Sequence, residues 1–161
     1  MSDFVASEDF GWPRGTVRLI VRDVDGIVVE DRFLGEHNLV VDNFGNQAVY
    51  LVGGEFLASA KITKIGLGQG TTELASRTAL VDPGGGAVST ATTVLSYTTG
   101  PASVTFEGTF GYADGNGDAF TEMGLLFDSA TPPLAAIKVF PTMTKSVLFT
   151  WTFQWKLDWP Y

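Results

Sequence analysis

From Val147 to Leu157 the sequence reads V-L-F-T-W-T-F-Q-W-K-L, with Val147, Phe149, Trp151, Phe153, Trp155 and Leu157 apolar. Between them Thr150, Thr152, Gln154 and Lys156 are polar. A repeat of two sends successive side chains to opposite faces of a pleated strand. The run therefore has one aromatic face and one wetted face, as in an antiparallel sheet with a single buried side. It is close to twice the usual strand length. Trp159 and Tyr161 continue on the same parity. Such a strand builds a core, makes an interface, or stacks on a ligand.

Whether there is a core to join follows from size. A chain of 161 residues is expected to form one domain, and buries roughly 70% of its unfolded surface. It contains no Cys, which excludes a disulfide scaffold, a thiolate metal site and a Cys nucleophile. The formal net charge is -8, from 10 basic and 18 acidic residues. Ten scattered Lys and Arg do not make a nucleic-acid surface, so no nucleic-acid partner is expected. No stretch approaches the ~20 apolar residues of a membrane span. The acidic start, M-S-D-F-V-A-S-E-D-F, lacks the parts of a secretory signal, so a soluble protein made in a cytoplasm is expected. Charged residues are only 17%, light for a soluble domain, and this leans toward an assembly component covered by copies of itself or by a partner.

Along the chain, residues 1–15 show no period and carry Phe4, Phe10 and Trp12, which reads as an extended arm that docks. Residues 16–161 form the domain. Thr16–Val24 alternates, Asp25-Gly26 follows, and I-V-V-E-D-R-F-L resumes, which predicts a hairpin of strands 17–24 and 27–34 through a type I′ turn. Asn38–Val41 is a further short strand. Asp42 and Asn43 cap an expected single short helix closed by Gly53-Gly54. Lys61–Leu67, Val88–Tyr97 and Ala102–Tyr112 read as strands, followed by A-F-T-E-M-G-L-L-F and L-A-A-I-K-V-F. Eight or nine short strands with turn signals near every ten residues predict an antiparallel β-sandwich, jelly-roll-like, with one short helix and an N-terminal arm.

Catalytic chemistry is hard to assemble from these residues. The one His, His37, has no Cys or recognisable Ser nucleophile beside it and cannot build a His-cluster metal site. Gly66–Thr72 (G-L-G-Q-G-T-T) lacks the Lys of a phosphate loop and reads as a flexible connection. Asp114, Asn116 and Asp118 occupy the first three ligand positions of a calcium loop. However, Ala119 and Leu125 stand where such a loop needs Gly and a bidentate acid, so a hairpin turn is expected there. Glu107 and Glu122 fall on adjacent predicted strands, the one carboxylate pair worth naming for glycoside hydrolysis. Trp151, Trp155 and Trp159 would form a sugar-stacking platform if exposed, making a carbohydrate-binding module an alternative. Phe149 and Phe153 between them favour burial instead. No enzyme activity and no cofactor are expected.

In the carboxy-terminal half, T-E-M-G-L-L-F (Thr121 to Phe127), A-I-K-V-F-P-T-M-T-K (Ala136 to Lys145) and L-F-T-W-T-F-Q-W (Leu148 to Trp155) stand in succession. Together they resemble a block found in tailed-bacteriophage structural proteins. Upstream, N-L-V-V-D-N-F-G (Asn38 to Gly45) and I-T-K-I-G-L-G-Q-G-T-T (Ile62 to Thr72) fit the same pattern. The resemblance covers residues 38 to 157 and leaves out the arm and first hairpin; Lys138 stands where an Arg is more usual. It implies a non-enzymatic virion part, made in the host cytoplasm. The leading expectation is a capsid decoration (cement) protein, with a tail, baseplate or tail-fibre component as the alternative. Its expected partners are other virion proteins, the major capsid protein or tail proteins, together with copies of itself in a homo-oligomer. Expected interface residues are Phe4, Phe10 and Trp12 on the arm, with Trp159 and Tyr161 past the last strand.

Overall fold

The computed structural model describes residues 13–35, 39–42, 44–45, 61–81, 88–99, 102–128 and 133–159. Among the described residues ten strands follow in order: β1 (Arg14–Arg22), β2 (Val28–Gly35), β3 (Leu39–Val40), β4 (Ile62–Gly68) and β5 (Val88–Ala91), then β6 (Thr93–Thr99), β7 (Ala102–Phe110), β8 (Ala119–Phe127), β9 (Leu134–Thr144) and β10 (Thr150–Asp158). They form two antiparallel five-stranded sheets, ordered β2-β1-β10-β7-β6 and β3-β9-β8-β4-β5. The expected β-sandwich is the fold.

The aromatic run is its centre. β10 lies between β1 and β7, with Trp155 opposite Val17 on one side and Phe106 on the other. Trp151, Phe153, Trp155 and Leu157 are buried, while Thr152, Gln154 and Lys156 face outward. Fully burying four side chains of this size contributes on the order of 10 kcal/mol, comparable with the net stability of a whole domain. They pack across the sandwich with Ile65, Leu67, Met123, Leu125 and Phe127 of the second sheet. Phe110 and Phe153 meet edge to face at 5.8 Å, and Phe120 meets Trp151 at 6.2 Å. The strand begins at Thr150 rather than Val147, because Val147 and Leu148 turn out into water and Phe149 N–H closes that turn on Ser146 O at 3.1 Å.

β8 is buried on both faces. Met123, Leu125 and Phe127 face the main core, whereas Leu126 joins Val41, Leu134 and Ile137 in a second cluster on the outer side of the sheet. A register shift between Phe120 and Glu122 inverts the alternation, so Phe120 points inward although its parity matches Glu122.

Several sequence expectations are corrected. The first hairpin turns through three residues, Val24 to Gly26, inside a closing Asp23–Ile27 pair, and not through a type I′ turn: Asp25 does not have positive φ, and only Gly26 does, at +78°. Gly26 N–H donates to Asp23 O and Asp23 N–H to Ile27 O, while the Asp23 carboxylate accepts from the amides of Asp25 and Ile27. A type I turn followed by a left-handed glycine matches strand twist as well as the primed turn does. β1 starts at Arg14, inside the expected arm, because Arg14 and Gly15 pair with Asp158 and Leu157. The expected strand 88–97 is two strands in different sheets, switching at Thr92, whose N–H donates to Thr63 O at 2.8 Å. Residues 114–118 do not join a hairpin either, since β7 and β8 lie in opposite sheets. Each of those strands has its own apolar face, and stacking the two sheets buries both at once. Asp42, Phe44 and Gly45 are helical; the rest of the expected helix lies outside the described residues.

Candidate functional site

The outward parity of β8 places Glu122, Gly124 and Leu126 on the far side of the second sheet, where residues 69–81 cross over them. Glu122 is fully buried there and Arg77 is 13% exposed. The guanidinium grips the carboxylate with both arms, Nη1 to Oε2 at 2.7 Å and Nη2 to Oε1 at 3.1 Å, and Val81 N–H adds a third bond at 2.5 Å. Arg77 also donates to Thr72 O and Ala79 O. The crossing segment is tied down along its length. Glu73 accepts from Val139 N–H at 2.7 Å, Thr78 O from Leu134 N–H at 3.0 Å, and Gly70 O from the Thr121 hydroxyl at 2.8 Å.

This explains the glycine-rich stretch that the sequence suggested was a flexible connection. Gly66 to Gly68 lie within β4. A Cβ on Gly68 would sit 2.6 Å from Glu122 Oε1, and one on Gly70 would overlap the same carboxylate. Glycine is required because a charged pair occupies the space a side chain would fill. The pair is an internal clasp, with the carboxylate lone pairs spent on Arg77 and Val81. The expected neighbourhood of Glu107 and Glu122 is overturned: they lie in different sheets, and Glu107 accepts from Gln154 Nε2 at 2.8 Å.

Asp114, Asn116 and Asp118 lie in the connection from β7 to β8, which folds around a lysine. Lys145 is buried, its Nζ donates to Asn116 Oδ1 at 3.1 Å, and Gly117 N–H donates to Lys145 O at 2.9 Å. Asp114 Oδ2 accepts from Gly111 N–H at 2.7 Å. Burial pushes the Lys145 ammonium below its ordinary value, and the Asp114 carboxylate offsets part of that. The cation of this loop is therefore an ammonium from the chain itself. Among the described residues no group of three acids or histidines is arranged to hold a metal. Nothing in the sequence marks Arg77 and Lys145 as site residues, because neither stands in a periodic or motif-like context; only folding brings Glu122 to the one and Asn116 to the other.

The expected interface residues are placed only in part. Phe4, Phe10, Trp12 and Tyr161 lie outside the described residues, as does His37. Trp159 is half-buried against the main core, and its backbone N–H donates to Ala102 O at 2.9 Å. Trp151 and Trp155 are buried, so no three-tryptophan platform faces solvent. Half of the large apolar side chains exposed among the described residues lie instead at the opposite end of the sandwich. The connections 23–27, 111–118 and 145–149 meet there, with Tyr112 Oη donating to Asp23 O at 2.9 Å. Val24, Ile27, Val28, Tyr112, Val147 and Leu148 are all exposed at this end. Among the described residues no helix is long and apolar enough to cross a membrane. No family, curated protein or solved structure matches this chain.

Proposed function

We propose that this chain is a non-enzymatic structural protein of a tailed-phage virion, a capsid decoration protein that binds and stabilises the head shell. The observation that carries the reading is the loop-built apolar end: five large apolar side chains held out on three connections that hydrogen bonds keep in place, with Val28 beside them at the start of β2. Leaving such a patch in water is unfavourable, and rigid loops presenting it are suited to seating on another protein. The buried ionic groups support the same reading, because Arg77, Glu122 and Lys145 are spent on fixing loops. The block resemblance over residues 38 to 157 adds the virion context. Attachment would work by mass action: a protein that binds only the assembled shell stabilises it by its binding free energy.

The test is a cryo-EM map, with mass spectrometry, of particles of the phage encoding this chain. Sandwich density on the head capsomers is the expected result. Density confined to the tail would replace this reading with a tail or baseplate role, and absence from the particles would refute both. Removing residues 1–12, which spares β1, is expected to leave the domain folded and to abolish attachment; full occupancy would show that the arm is not the anchor.

A further inference from the structure

Asn116-Gly117 is the one Asn-Gly pair in the sequence. Asparagine before glycine is the dipeptide most open to reaction with itself, because a residue without Cβ lets its backbone nitrogen approach the preceding side chain. The fold keeps that approach open. Asn116 and Gly117 are both exposed, and a Cβ on Gly117 would meet nothing within 4 Å. Nucleophile and electrophile are neighbours in the chain, with no side chain in the way.

What sets this pair apart is the group facing the amide. Asn116 and Lys145 form a parallel β-bridge, and the Lys145 ammonium donates to Asn116 Oδ1 at 3.1 Å. Asn116 Nδ2 donates to Tyr112 O, which fixes the end of the amide that faces the lysine. When a nitrogen adds to Asn116 Cγ, negative charge collects on Oδ1, and a cation already bonded to that oxygen stabilises the charge as it forms. The acid produced also suits the site better than the amide. Lys145 is 1% exposed and makes no ion pair among the described residues. A buried cation with one neutral acceptor is costly, and a carboxylate at position 116 turns that contact into a charge-assisted bond.

We propose that Asn116 is a self-modification site, which the folded chain converts to aspartate. Gly117 N attacks Asn116 Cγ and the Cγ–Nδ2 bond breaks; the proton lost from Gly117 N leaves with Nδ2 as ammonia. Water then adds to Cγ of the cyclic imide, the new Cγ–N bond breaks, and a proton returns to Gly117 N. The side chain is left as a carboxylate on the Lys145 ammonium. Opening at the main-chain carbon instead gives isoaspartate, whose extra backbone atom breaks the bridge to Lys145 and the bond from Gly117 N–H to Lys145 O. The native fold therefore selects aspartate. That same Gly117 bond must open before attack, so conversion is slow and follows folding. Its consequence is a firmer tie between two of the three connections that carry the apolar end, whatever that end binds.

Full-length native protein would be held at neutral pH and sampled over weeks by intact mass and by peptide maps that separate aspartate from isoaspartate. The expected result is ammonia exchanged for water at position 116, with aspartate as the main product. In urea, where the contact with Lys145 is lost, isoaspartate should dominate. Lys145→Met should slow native conversion on the order of tenfold or more. Asn116→Asp, made directly, should raise the urea midpoint, and in a Lys145→Met background it should not. Unchanged tryptophan fluorescence would establish that each variant is folded. An unaltered mass throughout would overturn the proposal, as would isoaspartate as the main native product. So would conversion as fast without the lysine, or an Asn116→Asp midpoint no higher than that of the original chain. A lasting loss of ammonia without uptake of water would mean that Lys145 Nζ had attacked in place of Gly117 N, and would overturn it too.

Discussion

Removing Arg77 tests whether the buried clasp holds the 69–81 crossing in place. In Arg77→Ala the Glu122 carboxylate keeps the Val81 amide but loses both guanidinium bonds, at a position with no exposure to water. Breaking a buried pair by deleting one partner costs about 3–5 kcal/mol, because the other charge is left uncompensated. That is a large share of the 5–15 kcal/mol that holds a typical domain folded. For a chain of this length it lowers the melting temperature on the order of 10 °C. Urea unfolding followed by tryptophan fluorescence measures it, with Trp151 and Trp155 in the core as reporters. The paired replacement Arg77→Met with Glu122→Leu leaves no orphan charge, so its cost is expected to fall well below the sum of Arg77→Met and Glu122→Leu made singly. If Arg77→Ala costs less than about 1 kcal/mol and the double change is simply additive, the clasp carries no coupling energy and the argument fails.

Other outcomes are expected from the same geometry. Trp151→Ala removes a buried ring at the junction of the two sheets and should cost about 3–5 kcal/mol by denaturant titration; an unchanged midpoint would show that the ring is not part of the core. Gly70→Ala should cost about 1–3 kcal/mol, since its methyl group meets the Glu122 carboxylate, and a neutral result would mean that the segment shifts freely. Lys145 has its pKa lowered by burial, so between that lowered value and the ordinary 10.5 the unfolded chain holds a proton the folded one has released. Stability should therefore rise with pH across that window, and Lys145→Met should lose this rise. Identical pH profiles for the two proteins would remove the assignment.

The sheet class and the central strand were legible because period-two alternation reports directly which residues face the core, and Trp151 to Leu157 alternate without a fault. Pairing partners were not legible. Val88–Tyr97 contains neither Gly nor Pro, so nothing marks the point at Thr92 where the backbone leaves one sheet for the other. The turn signal at Asp114 to Asp118 was real, but it does not say whether the next strand lies beside the last one or across from it. The clasp was hidden for a different reason. Arg77 and Glu122 are 45 positions apart, and their meeting depends on a segment with no periodicity of its own. What the sequence did carry was the clasp's imprint, glycines at Gly68 and Gly70 where a side chain has no room. Two of the residues in the Asp–Asn–Asp pattern likewise meet a cation, the Lys145 ammonium, which bonds Asn116 and is attracted by Asp114.

The place of β10 bears on how the chain reaches this state. It is the last of the described strands along the sequence, yet it lies in the middle of the first sheet, and Arg14 pairs with Asp158, 144 positions away. On a ribosome, β1 and β2 can close their hairpin early, and β6 and β7 theirs, but the two pairs have nothing to join them until β10 emerges. Closing so long a loop before its contacts repay the entropy makes folding slow, in the range of large β-topologies. A chain cut short before Thr150 would lose the seam between two half-sheets and expose the aromatic surfaces of both.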